Sequence, residues 1–107
     1  MRYTVLVVDD EEDQRHALAQ KTDWNSAGFE LAGEAQNGVD ALDKLEIYKP
    51  DLVITDIKMP MISGIELAAE IRRIRPATQI VFLSGYDSFE YAKSAIDYNV
   101  IKYLLKP

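Results

Sequence analysis

Five polar residues of the sequence could together do chemistry on a phosphoryl group. They are the adjacent acids Asp9 and Asp10, a third acid Asp56, the hydroxyl of Ser84 and the amine of Lys106. Three carboxylates held close together repel one another, so at neutral pH they need either a proton or a cation. Hard oxygen ligands suit Mg²⁺, which proteins usually bind through one or two carboxylates and phosphate oxygens. If these residues meet in the fold, they predict a site for a divalent cation and a phosphoryl group.

Each member of this set has a distinct expected role. Asp56 would be the nucleophile, because a carboxylate can form an acyl phosphate. Lys106 and the Ser84 hydroxyl would neutralise or hydrogen-bond the phosphoryl oxygens. Taken singly, each acid is an ordinary loop acid at the end of a strand; taken together with Lys106, they favour a functional site. Asp51 opens the same strand that Asp56 ends, and is expected to lie too far away to take part.

The elements that must position these residues follow from the periodicity of apolar side chains. Short β-branched runs alternate with longer segments of helical spacing. Strands are predicted at 3–8, 29–35, 52–55, 80–83 and 103–105. Helices are predicted at about 13–25, at 38–48, along the line Leu67, Ile71 and Ile74, and along the stripe Phe89, Ala92 and Ile96.

The predicted fold is a doubly wound α/β domain. Strands that are apolar on both faces and alternate with helices indicate a parallel sheet covered by helices on both sides. Five such strands match the flavodoxin-like order 2-1-3-4-5, which binds ligands at the carboxyl ends of strands 1 and 3. Asp9 and Asp10 end strand 1 and Asp56 ends strand 3, while Ser84 and Lys106 follow on the same edge at the ends of strands 4 and 5. The chain is expected to form one domain over 1–107, truncated before the fifth helix.

Composition narrows the partners and the location. Apolar residues make up 48% and charged residues 28% of the 107 residues, as in a globular domain. A formal net charge of −6 argues against direct binding of nucleic acid. The apolar run 5–8 is too short for a signal peptide or a membrane span, and the chain has no cysteine, so we expect a cytoplasmic protein that does not bind membranes.

Four segments of the sequence resemble motifs of one known family. The segment VLVVDDEE resembles its first-strand acid pair, and DLVITDIKMPMISGIEL resembles its phosphoacceptor strand and loop. The segments IVFLSGY and YLLKP resemble the strands that carry a switch hydroxyl and a lysine. All four are in register along the whole chain. The sequence is therefore similar to the receiver domains of response regulators in two-component systems.

The resemblance implies a phosphorylation site and a set of metal ligands. It implies that a sensor histidine kinase phosphorylates Asp56 in the presence of Mg²⁺. Asp10 would bind Mg²⁺ directly and Asp9 mainly through water, with Asp56 and the backbone carbonyl of Lys58 as further ligands. The domain would be a signalling switch, not an enzyme that turns over an external substrate.

The resemblance also implies the parts of the switch. Ser84 and Lys106 would contact the phosphoryl oxygens, and Tyr103 would turn inward as Ser84 moves toward the phosphate. A cis peptide bond is expected between Lys106 and Pro107. Lys58 and Tyr86 would flank the site, at positions that tune the rate of dephosphorylation in the family.

The last part of the chain implies an output. Residues 85–107 are similar to receivers that precede an AraC-type helix-turn-helix domain, which implies a covalently linked transcription factor and no DNA binding by the receiver itself. A homodimer formed on phosphorylation would use helix 4, strand 5 and helix 5, a face that the missing fifth helix leaves incomplete.

Two other functions remain as alternatives. One is a Mg²⁺-dependent phosphatase of the haloacid dehalogenase kind, although Glu11 stands where that family has its second Asp. Turnover of a phosphomonoester would identify it. The other is a receiver fold that serves only as a docking module, which usually lacks one of the acids or the lysine.

Overall fold

The protein is a five-stranded parallel sheet with helices on both faces. A computed structural model describes residues 2–86 and 88–106. The strand order is 2-1-3-4-5, as predicted for a flavodoxin-like fold. In those two ranges no helix is both long and apolar enough to cross a membrane. The elements are β1 (Tyr3–Val8), α1 (Glu12–Lys21), β2 (Phe29–Ala35), α2 (Gly38–Tyr48), β3 (Leu52–Asp56), α3 (Gly64–Ile74), β4 (Gln79–Ser84), α4 (Phe89–Asp97) and β5 (Lys102–Leu105).

Both faces of the sheet are buried, because the central strands carry apolar side chains on each side. On one face Leu6, Val53 and Phe82 pack with Leu67 and Ile71 of α3. The opposite face holds a smaller buried cluster of Val5, Leu52 and Val81, against which Trp24 packs. The central strands β1 and β3 are thus held firmly from two sides, and the residues at their ends inherit that rigidity.

The helices next to the site have well-defined starts. α3 begins with a capping box, in which the Ser63 side chain accepts from the Glu66 N–H and the Glu66 side chain accepts from the Ser63 N–H. α2 begins after Asn37, whose side chain accepts a hydrogen bond from the Asp40 N–H at 2.8 Å. These caps fix where the loops after β2 and β3 end.

The first helix is shorter than the periodicity predicted. The predicted helix at about 13–25 was wrong at its end, because α1 ends at Lys21 and a 3₁₀ turn, Asn25–Ala27, follows. The indole N–H of Trp24 donates to the carbonyl of Ala19 at 2.9 Å. This bond satisfies a free carbonyl at the helix end, and Trp24 turns back onto the sheet instead of extending the helix.

The fourth helix presents a different face to the core from the predicted one. Phe89 and Ile96 are 83% and 78% exposed, so the predicted stripe of Phe89, Ala92 and Ile96 does not form the buried face. Ala95 is buried there, and Tyr91 and Tyr98 pack against the core. Both sets have helical spacing, and the tyrosines are the ones that cover the sheet.

The strands that carry site residues are longer than predicted. β3 includes Asp56, which pairs with Leu83, and β4 includes Ser84, which pairs with Leu105. The backbones of Asp56 and Ser84 are therefore held by the sheet ladder and are not in loops. This makes the direction of both side chains a property of the sheet.

Gly64 is the glycine that this arrangement depends on most. A Cβ added at Gly64 would lie 2.1 Å from the carbonyl oxygen of Asp56, whereas one added at Gly85 would meet nothing within 4 Å. We expect Gly64→Ala to lower the free energy of unfolding by roughly 1–3 kcal/mol, since backbone cannot move aside as a flexible side chain can.

Gly85→Ala is the matched control, expected to change stability by less than about 0.5 kcal/mol. Urea unfolding followed by circular dichroism measures both. Equal stability of the two variants would contradict the close packing of α3 against the end of β3.

Candidate functional site

Three carboxylates converge at the carboxyl ends of β1 and β3. Asp9 and Asp10 follow β1 directly, and Asp56 is the last residue of β3. One carboxylate oxygen from each lies within 4.8 Å of the others. Asp9 is only 3% exposed, Asp56 is half-buried and Asp10 is exposed to solvent. The cluster is therefore open on one side and enclosed on the other.

Lys106 lies against this cluster from beyond the end of β5. Its Nζ donates to Asp9 Oδ2 and to Asp56 Oδ2, each at 3.2 Å. A third and shorter bond, of 2.7 Å, goes to Gln14 Oε1 on α1. One ammonium therefore bridges two of the three carboxylates, and it leaves the cluster with an excess of negative charge.

The pKa values of this group reflect its crowding. Burial raises the pKa of the Asp56 carboxyl above its usual value, and the nearby Asp9 charge adds to the rise, although Lys106 and the Ile57 N–H oppose it. Burial alone would lower the pKa of the Lys106 ammonium, but the Asp56 and Asp9 carboxylates outweigh it and raise that pKa. Lys106 is thus held in its charged form, and the Asp56 carboxylate is less stabilised than it would be in water.

Asp9 is anchored through its backbone as well as its side chain. Its Oδ1 accepts from the Glu11 N–H at 2.9 Å, and its carbonyl accepts from Arg15 Nη1 at 3.1 Å. Arg15 is held in turn by an ion pair with Glu34 of β2, at 3.1 Å. The loop after β1 is therefore tied to β2 through a charged side chain of α1.

Ser84 and Tyr103 meet at one backbone carbonyl. Ser84 Oγ donates to the carbonyl of Tyr86 at 3.2 Å and accepts from the Tyr86 N–H at 3.1 Å. The Tyr103 hydroxyl donates to the same carbonyl and accepts from the Ser88 N–H at 3.2 Å. The start of the β4–α4 loop is thus held by the two residues to which the family resemblance assigns the switch.

Lys58 and Tyr86 form the outer rim of the site. The Lys58 ammonium lies 4.3 Å from the centre of the Tyr86 ring, a cation–π contact between the β3–α3 and β4–α4 loops. That the backbone carbonyl of Lys58 binds a metal stays a prediction. The expected cis bond to Pro107 lies outside the described residues.

Sequence reasoning left some residues out of the site and missed others. Asp51 lies at the opposite end of β3, where its carboxylate accepts from the Thr4 N–H at 2.8 Å. Gln14 and Arg15 were missed, although Gln14 accepts a hydrogen bond from Lys106 and Arg15 donates one to the Asp9 carbonyl. Their place in the first turns of the helix that follows the acid pair is a signal that could have found them.

The donor set fits Mg²⁺. Three carboxylate oxygens within 4.8 Å of one another offer hard ligands, and only one cation, Lys106, is bonded to them in the described part of the chain. The solvent exposure of Asp10 leaves room for the water ligands that Mg²⁺ retains. These residues therefore suit a magnesium ion in chemistry and in access.

Comparison with known proteins identifies the family. The family model described as "Response regulator receiver domain" matches residues 5–107. The chain belongs to the receiver domain family of two-component response regulators. Receiver domains of this family are signalling switches that are partnered by histidine kinases and bind Mg²⁺ at an acidic pocket.

Two individual relatives are named as transcriptional regulatory proteins, in agreement with this family assignment. The chain is 44% identical over 105 residues to the "Uncharacterized transcriptional regulatory protein YesN" of Bacillus subtilis, covering 98% of this chain and 28% of that protein. It is 39% identical to the "Transcriptional regulatory protein HptR" of Staphylococcus aureus, covering 98% of this chain and 41% of that protein. The chain thus spans less than half the length of these relatives.

A solved structure has the same fold over the whole chain. The REC domain of AraT, a response regulator from Geobacillus stearothermophilus, is 36% identical with a TM-score of 0.90. The match covers 100% of this chain and 83% of that one. The flavodoxin-like receiver fold predicted from the sequence is therefore confirmed.

The crowding of the carboxylates predicts that Mg²⁺ stabilises the folded chain. At a Mg²⁺ concentration about 100 times its dissociation constant, the expected gain is ~2.7 kcal/mol. Asp10→Asn should remove most of this gain, and Glu12→Gln, an exposed position on α1, should retain it. Thermal unfolding with and without MgCl₂ measures the effect. An equal gain in wild type and Asp10→Asn would place the ion elsewhere.

Proposed function

We propose that this domain is a phosphorylation-dependent switch that accepts a phosphoryl group on Asp56 with Mg²⁺. The observation that carries the proposal is the meeting of Asp9, Asp10 and Asp56 with Lys106 at the carboxyl ends of β1, β3 and β5. Acids alone would make a cation site. Acids with a bridging ammonium and a half-buried carboxylate make a site for a phosphoryl group that arrives with a cation.

The metal would be held mainly by Asp10 and Asp56. Asp9 is the most buried of the three acids, at 3% exposed, which favours contact with the ion through water. Asp10 is exposed and so is accessible for direct binding. The Lys58 carbonyl would be a further ligand. Bound Mg²⁺ would supply positive charge to phosphoryl oxygens during transfer.

Asp56 would act as the nucleophile. One of its oxygens forms the new bond to phosphorus while the bond from phosphorus to the donor, a kinase histidine or a small phosphodonor, breaks. The donor group leaves with that electron pair. The half-buried position of Asp56 between the acid pair and Lys106 supports this role. Lys106, which donates to Asp56 Oδ2, would bind a phosphoryl oxygen.

Ser84 and Tyr103 would carry the signal away from the site. Ser84 Oγ can reach a phosphoryl oxygen only by giving up its bond to the Tyr86 carbonyl. That carbonyl also accepts from the Tyr103 hydroxyl, so a change at Ser84 would alter the bond that ties Tyr103 to the β4–α4 loop. The phosphoryl group would thereby bias a two-state equilibrium of the β4–α4 loop.

The partners follow from the same proposal. A sensor histidine kinase would supply the phosphoryl group, and a covalently linked AraC-type DNA-binding domain would be the output. Support for the output comes from relatives named as transcriptional regulatory proteins that extend beyond the matched region. Two further points remain predictions: a cytoplasmic location, and a domain that does not turn over an external substrate.

Dimerisation on phosphorylation also remains a prediction. The face that the resemblance assigns to it includes exposed apolar side chains on α4 and β5. Phe89 and Ile96 are exposed on α4, and Leu105 on β5 is 54% exposed. Apolar exposure of this extent is compatible with a protein contact.

Intact mass spectrometry after incubation with acetyl phosphate tests the phosphoacceptor. We expect one phosphoryl adduct in wild type that requires Mg²⁺, and none in Asp56→Asn. Asp43→Asn, an exposed acid on α2, is the matched control and should give the wild-type adduct. An adduct in Asp56→Asn would contradict the assignment of the nucleophile.

This experiment, together with an assay of phosphomonoester turnover, separates the alternatives. Absence of an adduct in wild type with Mg²⁺ would favour the docking module. Steady release of phosphate from a phosphomonoester, at many turnovers per chain, would favour the phosphatase. Formation of a single adduct without such turnover supports a switch.

The switch predicts a change in the backbone amides of Tyr86 and Ser88 on phosphorylation. These amides donate to Ser84 Oγ and to the Tyr103 hydroxyl, so both resonances should shift in ¹H–¹⁵N spectra as the adduct forms. In Ser84→Ala the adduct should still form. The change in the Ser88 resonance should fall to less than about half of its wild-type value, because residue 84 then has no hydroxyl that bonds to the Tyr86 carbonyl. An unchanged Ser88 shift in that variant would argue against transmission through Ser84.

A further inference from the structure

The shortest hydrogen bond of Lys106 goes to a neutral side chain that lies outside the acid cluster. Lys106 Nζ is 2.7 Å from Gln14 Oε1, compared with 3.2 Å from each of its two carboxylate partners. Gln14 is the third residue of α1, on a helix and not at a strand end. It is the one helix side chain that binds this ammonium among the described residues.

Gln14 completes the set of acceptors that a lysine ammonium can use. An ammonium has three N–H donors, and here Asp9, Asp56 and Gln14 each accept one. Because the lysine side chain is long and loses rotamer entropy when it is fixed, two acceptors hold it less well than three.

Lys106 lies beside a cleft that its ammonium group could enter. Its side chain borders a cleft of about 250 Å³ between α1 and the sheet, lined by Asp9, Gln14, Ala17, Leu18, Leu83 and Lys106. The cleft is open to solvent, and a free ammonium could swing out into it and be hydrated. The amide of Gln14 lies on the α1 side of this cleft and holds the ammonium over the carboxylates.

We infer that Gln14 is a positioning residue that holds the Lys106 ammonium over Asp56 for phosphoryl transfer. This inference rests on the proposed function. When Asp56 becomes an acyl phosphate, its charge moves to the phosphoryl oxygens and the bond from Lys106 to Oδ2 weakens. The bond to Gln14 is unaffected by that change, and so it keeps the ammonium in place while its other partner changes.

A neutral acceptor suits this role better than a charged one. A carboxylate at position 14 would form an ion pair with Lys106, drawing it away from Asp56 and adding negative charge beside the site. The amide oxygen of glutamine orients the ammonium without competing for its charge. Position 14 is thus expected to affect the phosphorylation rate and the Mg²⁺ affinity in different ways.

The test is the rate at which acetyl phosphate phosphorylates the chain, followed by intact mass at saturating Mg²⁺. Gln14→Met keeps the length and shape of the side chain but removes the acceptor, and it should slow adduct formation about three- to tenfold, the range of one ordinary hydrogen bond. Its Mg²⁺ dissociation constant and its urea midpoint should match wild type. Gln14→Glu should also slow adduct formation but bind Mg²⁺ more tightly.

Gln20→Met is the matched control, because Gln20 lies on the same helix and donates to Glu34, away from Lys106. It should phosphorylate within about twofold of wild type, as expected of a surface substitution. A wild-type rate in Gln14→Met would overturn the inference, and so would a slower rate that comes with an equal loss of Mg²⁺ affinity or stability. Failure of wild type itself to form an adduct would overturn the proposed function, and this inference with it.

Discussion

The repulsion among Asp9, Asp10 and Asp56 is the constraint on which the rest of the structure depends. Three like charges with oxygens within 4.8 Å of one another would separate if their backbones were free to move. They are held together because β1 and β3 pair directly, from Val5 with Leu52 to Val8 with Thr55. The folding energy of the buried strands thus maintains an electrostatic arrangement that is unfavourable by itself. Positive charge close to the three carboxylates therefore stabilises the site.

Two sources of positive charge could stabilise these carboxylates, Lys106 and a cation from solvent, and they would lie on different sides of the cluster. Lys106 reaches the enclosed side of the cluster, where Asp9 is 3% exposed, and bridges Asp9 to Asp56. The open side belongs to Asp10. A cation that enters from solvent therefore does not have to displace the lysine. Under the proposed function, both would be present together and would bind different oxygens of one phosphoryl group, whereas a single cation could not hold it from two sides.

The two ends of α4 are held in different ways, which bears on how a signal would leave the site. α4 is fixed at its C-terminal end, because Arg72 donates to the carbonyls of Tyr98 and Thr78 at 2.7 and 2.6 Å. Its N-terminal end is held by the bonds from Ser84 and Tyr103 to the Tyr86 carbonyl. Under the proposed function, a helix fixed at one end and held by a few exchangeable polar bonds at the other would respond to small changes near the site, while the buried strands beneath it would change little.

The sequence predicted the strands and their ends better than it predicted the helices. The bounds of β1, β2 and α2 were predicted correctly, because apolar runs and the glycine at the start of α2 mark them. The chemistry-bearing residues at strand ends were found because strand ends in a parallel sheet share one edge. The end of α1 was predicted wrongly, since Trp24 reads as another helical residue until its indole is seen to bind the Ala19 carbonyl.

The positions that sequence reasoning missed have a common physical cause. α1 carries few large apolar residues, and only Ala19 of its ten is buried, so periodicity cannot tell which side faces the site. Gln14 and Arg15 are polar residues among other polar residues, and their roles depend on the rotation of that helix about its axis. α4 poses the reverse problem, because two apolar stripes compete on one short helix. In both cases packing against the sheet decides which face of the helix turns inward. That face can be identified only when the helix and the sheet are seen together.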